Sequence, residues 1–275
     1  MRKITHPGPR ALRRADVLPC QAVPVCLTLR AGQTLTRAIT DGLAQAGFKS
    51  GYLRLDGAVL SPMAYVTPAP APGDGHAAWY SQTYAQPFAQ IRHGGAHLGV
   101  RDGAAFVHCH ALWQDQAMGH VLCDDSMISQ DVSVSGWGLR GAGLVAQPDA
   151  ETLFTLFRPE VTRPQTAANA FLITLRPNQD ICRALLEIAQ DHQIAQARME
   201  GIGSLVGTVF ENAASLESYA TELLIIEGDL HGGKARLTAA SVGFDGAGQQ
   251  GVLRAGANAV CVTAELLMIL APSQG

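Results

Sequence analysis

Two periodicities alternate along this chain. Strict apolar–polar alternation predicts a strand, and apolar residues recurring every third or fourth position predict a helix. Val25-Cys26-Leu27-Thr28-Leu29-Arg30 has the first pattern and Ala31-Gly32-Gln33 is a turn. Thr34 can then cap a helix whose apolar stripe is Leu35, Ala38, Ile39 and Leu43. Gly47 ends that helix, and residues 51–60 return as a strand. The same order recurs later. Leu172-Ile173-Thr174-Leu175-Arg176 is a strand, Pro177-Asn178-Gln179-Asp180 a turn and cap, and Ile181, Leu185, Leu186 and Ile188 a helical stripe. Leu29-Arg30, Gln33 and Arg37 recur in register as Leu175-Arg176, Gln179 and Arg183. This predicts an internal duplication. The arginines Arg30 and Arg176 either hold these turns and pair with a local acid, or bind an anionic ligand.

Between the two openings lies the stretch richest in chemistry, from Phe106 to Leu122. Two short apolar strands flank a polar turn, Gln114-Asp115-Gln116. His108 and His110 are two apart and share a strand face. Folding the ribbon about Asp115 sets His120 opposite His110. Opposed side chains stand roughly 5 Å apart, and a diagonal neighbour such as His108 roughly 7–8 Å away. A lone strand histidine is ordinarily a polar residue on a half-buried face. Three that converge match a metal site with three nitrogen ligands and an open fourth position. Cys109 points to the opposite face and is read as core, and Cys123 is not counted as a ligand.

The rest of the chain frames this ribbon. Residues 61–88 read as a loop, because Pro68, Pro70 and Pro72 bar a central strand. Its tail, Trp79 to Tyr84, is a lid, a subunit contact or an ordinary packed loop. His93 and His97 have no assigned place. Residues 129–147 read as a glycine-rich insertion, and Leu153 to Phe157 as a closing strand, echoed by Leu266 to Leu270. In the second half, Glu222 to Gly228 is a buried strand. Leu237 to Val242 and Gln250 to Leu253 stand where the first half has its histidine strands, and they carry no histidine.

Composition narrows the classes. With 275 residues, 47% of them hydrophobic, the chain can hold two ordinary domains or one large one. A net charge of −3 gives no general attraction to nucleic acid or membranes. No apolar run reaches the 18 or so residues of a membrane span. Residues 1–19 carry five basic residues and no acid before Asp16, forming a basic arm that either contacts phosphate or frays. The first residues begin like an export signal, but no apolar stretch follows. Six scattered cysteines without a Cys-x-x-Cys pair suit a reduced, cytoplasmic protein.

His108-Cys109-His110-Ala111, the acidic turn and Gly119-His120-Val121-Leu122, preceded by a Leu-Arg strand and a helix, resemble the plants-and-prokaryotes-conserved (PPC) domain. The likeness spans about 23–157 and, on hydrophobic pattern and Glu222, 171–270. Departures are a turn without glycine, Met118 in place of the first glycine, and no first-half counterpart of the family's strand glutamate. The resemblance implies an α/β (α+β) fold of two similar domains, each a mostly antiparallel sheet packed on a helix. The expected boundaries are 1–19 for the arm, 20–160 for domain 1, 161–169 for a linker and 170–275 for domain 2. It also implies a homotrimer, or a pseudo-symmetric dimer of the two copies inside each chain.

A divalent metal, zinc by ligand type, is expected on His108, His110 and His120. Glu222 of the second copy would face imidazoles across an interface, and a small ligand would bind there. DNA association is the second expectation, although the Arg-Gly-Arg-Pro core of a minor-groove hook is absent. A metal-dependent enzyme is the third, with no catalytic residue named.

Overall fold

A computed structural model describes residues 1–114, 116–163 and 167–271. The turn residue Asp115 and residues 164–166 of the expected linker lie outside the described residues. The elements run β1 (Ala15–Leu29), α1 (Leu35–Gln45), β2 (Gly51–Arg54), β3 (Val59–Leu60), β4 (Met63–Val66), β5 (Pro68–Ala69), β6 (Trp79–Tyr80), β7 (Tyr84–Gln86), β8 (Ala89–Arg101), β9 (Ala104–Trp113) and β10 (Ala117–Val121). They continue as β11 (Val132–Arg140), β12 (Ala142–Pro148), β13 (Thr155–Val161), β14 (Ala170–Leu175), α2 (Ile181–Asp191), β15 (Gln196–Leu205), β16 (Thr221–His231), β17 (Lys234–Val242), β18 (Gly248–Val252) and β19 (Val260–Leu270). Strand pairing is antiparallel almost throughout. Among the described residues the one parallel contact is a single pair, Val145 with Val100.

α1 and α2 start the same way. Thr34 and Asp180 sit in extended conformation as N-caps, and their side chains accept from the N–H of Arg37 and Arg183. In α1, Leu35, Ala38, Ile39 and Leu43 share one buried cluster with Leu27, Leu29, Cys109 and Trp113. In α2, Ile181, Leu185 and Ile188 share a second with Ile173, Leu223, Ile225 and Leu266.

β1 is the seam of the molecule. Its residues 21–29 pair with β11, and residues 15–20 pair with β14. The N-terminal half is then ordered β11–β2–β8–β9–β10–β4 and the C-terminal half β14–β19–β15–β16–β17–β18. Strand alternation gives each sheet a second apolar face, away from the two clusters just named. Leu112 and Met118 of the first half meet Ile202, Leu224, Ala240 and Val242 of the second. Tyr52, Leu144 and Phe157 meet Leu172, Leu267 and Ile269. The halves are therefore joined face to face by apolar contact. An ion pair between Arg54 and Glu200, 2.8 Å apart, adds a polar tie.

Several elements differ from the expectations. Residues 51–60 are two strands, β2 and β3, because Gly57 turns with φ +83°. Residues 129–147 are not an insertion beside the fold. They form β11 and β12, with β11 inserted between β1 and β2. The glycines permit this: a Cβ on Gly136 would stand 2.2 Å from the Tyr52 carbonyl oxygen, and one on Gly138 2.4 Å from the Phe48 ring. Residues 61–88 contain β4 to β7, with Pro68 confined to a two-stranded ribbon. The basic arm is neither frayed nor free. Residues 15–19 belong to β1, Ile4 donates to Asn178 Oδ1, Gly8 donates to the Glu151 carbonyl, and Arg14 pairs with Glu151 at 2.7 Å. Specific donors and acids hold it where composition alone suggested mobility. Among the described residues no helix is long and apolar enough to cross a membrane.

Candidate metal centre

The β9–β10 ribbon pairs in the register expected from its symmetric turn: His120 stands opposite His110, and Ala117 opposite Trp113. Gln114 takes a left-handed φ of 53° at the turn. On β9, Val107, Cys109, Ala111 and Trp113 point into the helix-side core. His108 and His110 therefore point the other way, toward the C-terminal half. The imidazole centroids are 4.9 Å apart for His108–His110, 4.8 Å for His108–His120 and 5.4 Å for His110–His120. One nitrogen from each ring lies within 4.8 Å of the others. Gly95, opposite His110 on β8, leaves room for this packing, since a Cβ there would sit 2.3 Å from the Tyr52 hydroxyl.

The C-terminal half closes the site with two carboxylates. Glu222 on β16 brings Oε2 to 3.0 Å from His110 Nε2, and Glu265 on β19 brings Oε2 to 3.2 Å from His108 Nδ1. Both glutamates are almost fully buried. His110 Nδ1 lies 2.8 Å from the Leu223 carbonyl oxygen. A carbonyl only accepts, so Nδ1 carries the hydrogen and donates it. Nε2 then has either a second proton or a bare lone pair directed near a carboxylate oxygen. It has no well-aligned hydrogen-bond partner, and neither has His120 Nδ1. Two lone pairs at 3.0 Å repel, so the arrangement calls for a cation there, a proton or a metal ion. A histidine whose Nδ1 is fixed on a backbone carbonyl is also the usual oriented metal ligand. On this ground His108, His110 and His120 form a group that could hold a metal ion.

The electrostatics divide the cluster. Burial pushes His108 down to about 3, helped by repulsion from His110 and opposed by Glu222. Burial and the two neighbouring imidazoles hold His120 well below its ordinary range. Burial also works against charge on His110, but the Glu222 carboxylate outweighs it and leaves His110 above its usual value. Glu222 responds in kind: burial would raise it, and the nearby imidazoles hold it below the carboxylate norm. Glu265 is raised by burial in spite of its imidazole neighbours. Burial thus works against charge on His108 and His120, the attraction between His110 and Glu222 favours the charged form of each, and Glu265 is shifted toward its neutral form.

A cavity of about 570 Å³ opens above the histidines, within the range of small-molecule sites. Phe106, Phe154, Phe157, Trp79 and Tyr80 are among its walls, with Glu222 and Glu265 at the same end as the histidines. Of the other residues singled out in the sequence, Arg30 pairs with Asp131 on the surface, and Arg176 pairs with Asp149 and Asp16. Neither lines this cavity. His93 faces Asp56 at 3.6 Å. His97 is buried beside the site, its Nε2 donating to the Glu265 carbonyl at 3.1 Å, and burial takes it down to about 4. All six cysteines are free.

Sequence reasoning passed over Glu265 and named Tyr80 only within the 79–84 segment, as a lid, a subunit contact or a packed loop. Glu265 left a signal: it is one acid inside the apolar run Val260 to Leu270, and a carboxylate buried on a strand needs a partner. The aromatic stretch marked Tyr80 without choosing among those readings, since its position depends on how the segment 68–80 folds back over the ribbon.

No family model and no curated protein matches the chain. Similar solved structures include a metal-containing protein from Archaeoglobus fulgidus, 18% identical, covering 49% of this chain and 92% of that one, with a TM-score of 0.38. A plant- and prokaryote-conserved (PPC) protein from Pyrococcus horikoshii is 11% identical, covering 53% and 96%, with a TM-score of 0.37. A hypothetical protein from Salmonella enterica is 23% identical, covering 39% and 81%, with a TM-score of 0.33.

Proposed function

We propose that this protein holds a divalent metal ion, zinc by ligand chemistry, on His108, His110 and His120. Glu222 orients and balances it, and the ion is presented to a small ligand in the cavity between the two halves. The observation that carries this is the state of His110: Nδ1 spent on the Leu223 carbonyl, and Nε2 without an aligned partner 3.0 Å from a carboxylate. When bound, the ion would polarise an oxygen ligand at its open position. No reaction is assigned.

The two-copy reading belongs to the same proposal. The first copy carries the three histidines. The second has lost them and supplies Glu222 and Glu265 instead. Copy fusion would thus make in one chain a site that separate copies could form only by association. Assembly as a homotrimer is retained from the PPC resemblance and is checked by light scattering. DNA association ranks lower, because Arg2 and Arg14 of the basic arm are turned to Glu217 and Glu151.

The test is elemental analysis of protein purified without a histidine tag, before and after zinc addition. One ion per chain in the native protein, and none in His110→Ala, is the expected outcome. Protein that stays metal-free with zinc in excess ends the proposal.

A further inference from the structure

One side of the cavity is carried by a bent hairpin. β4 and β7 pair as far as Tyr65 with Tyr84, and the same two arms pair again as Pro68 with Tyr80 and Ala69 with Trp79. Between these ladders lie two residues on one arm, Val66 and Thr67, and three on the other, Ser81 to Thr83. The extra residue is a bulge, and a bulge bends the strand that carries it. Beyond the bend, β5 and β6 join neither main sheet. Val66, at the bend, is the ladder partner of His120. The tip therefore starts beside a candidate ligand, and it returns to it: the Tyr80 ring centroid is 5.4 Å from that of His120.

The tip is lightly held. His76 and Trp79 rest on Phe154, with ring centroids 5.0 and 5.3 Å apart. Trp79 and Tyr80 each stay 37% exposed. Of residues 69–80 only Ala78 is buried, in a small cluster with Val206, Ala220 and Cys261 of the C-terminal half. Among the described residues no hydrogen bond or ion pair runs from 68–80 to the rest of the molecule. The bend itself is pinned by Ser81. Its Oγ accepts from the Thr67 N–H at 3.0 Å, and its own N–H donates to the Thr67 carbonyl at 2.9 Å. A segment with few buried apolar contacts and no hydrogen bonds outward lies at the low end of local stability, from which moving lids are drawn.

We propose that residues 67–81 are a lid, hinged at Val66–Thr67 and Ser81–Thr83, whose opening lets an ion reach and leave the three histidines. This rests on the metal proposal above. The side chains of His108 and His110 are only 13% and 1% exposed, and Tyr80 rests against the third ligand. The part of this covering that is free to move is the tip, since the remaining walls belong to the two packed sheets. A lid that does not itself hold the ion sets how fast the site fills and empties, and it changes both rates by the same factor. A fixed wall has no such effect.

The experiment follows Co²⁺ uptake by the metal-free full chain, and Co²⁺ release to a chelator, in the wild type and in Ser81→Ala. Ser81 does not line the cavity, so the substitution loosens the bend and leaves the site intact. Both rates should rise about tenfold, the effect of one lost hydrogen bond on an opening equilibrium, with the affinity unchanged. Hydrogen exchange of the metal-free protein, read by mass spectrometry, is the second arm. Amides of 67–81 should exchange at least about tenfold faster than those of β4 and β10. Unchanged rates in Ser81→Ala overturn the lid and leave the metal site standing. So does a faster release with unchanged uptake, which marks a fixed wall, and so do 67–81 amides as protected as those of β10. Failure to take up Co²⁺ removes the metal proposal and this one together.

Discussion

Glu222 and His110 meet across the two halves of the chain, Oε2 of one 3.0 Å from Nε2 of the other. Neither half could make the contact alone, and the backbone carbonyl of Leu223, next to Glu222, holds the other nitrogen of the same ring. One strand, β16, therefore sets both the tautomer and the charge of a candidate ligand on β9.

Removing that charge while keeping the shape is the first prediction. Glu222→Gln should weaken zinc binding roughly 10- to 100-fold, as loss of a carboxylate next to a ligating histidine does elsewhere. Competition against a chromophoric zinc chelator measures it. Unchanged affinity would take Glu222 out of the site.

The second concerns the seam between the halves. Leu224 is buried among Leu112, Met118, Ile202 and Val242, residues drawn from both sheets. Leu224→Ala should cost about 3 kcal/mol of unfolding free energy, from lost burial and the cavity left behind. Urea denaturation gives the value. A cost below about 1 kcal/mol would mean that the halves do not depend on this contact.

A third prediction follows from Asp149, which is buried and accepts from Arg158 at 2.6 Å, Arg176 at 2.7 Å and Thr152 at 2.9 Å. Burial pushes its carboxyl up, but these donors prevail and bring it down to about 2. A carboxylate with a depressed folded value stabilises the protein above its unfolded value, near 3.8. That stability is lost as pH falls from there through about 2. The amount is roughly 2 kcal/mol. The stability gap between wild type and Asp149→Asn should therefore narrow by about this much between pH 5 and about pH 2. A gap independent of pH would contradict the pairing.

The fourth tests β11. Gly136→Ala places a methyl 2.2 Å from the Tyr52 carbonyl oxygen and 2.8 Å from the Leu53 Cα, neither of which can move without parting β11 from β2. A loss of about 1–3 kcal/mol is expected, the usual cost of overpacking. A neutral result in thermal unfolding would show that the 129–147 segment is as loose as its glycine content first suggests.

The local elements and the ribbon were legible in the sequence because they depend on near neighbours. Alternation of period two places His108 and His110 on one face. Symmetry about a short turn sets His120 opposite His110, and a cap followed by a 3.6-residue stripe announces α1 and α2. The glycine-rich stretch misled because glycine leaves no apolar pattern, although here its small size is what lets β11 lie so close to β2.

The three imidazoles and the ribbon that gathers them could be read from residue order alone. The resemblance already set Glu222 toward them; the rest of their surroundings, Glu265 from the other half, the Leu223 carbonyl and Tyr80 from a separate ribbon, came only with the packed molecule. The reason is the range of the forces involved. Pleat and turn geometry act within a strand pair, whereas the partners of a buried charge are chosen by how two apolar sheet faces, joined through Leu112, Leu224 and Leu267, come to rest on each other.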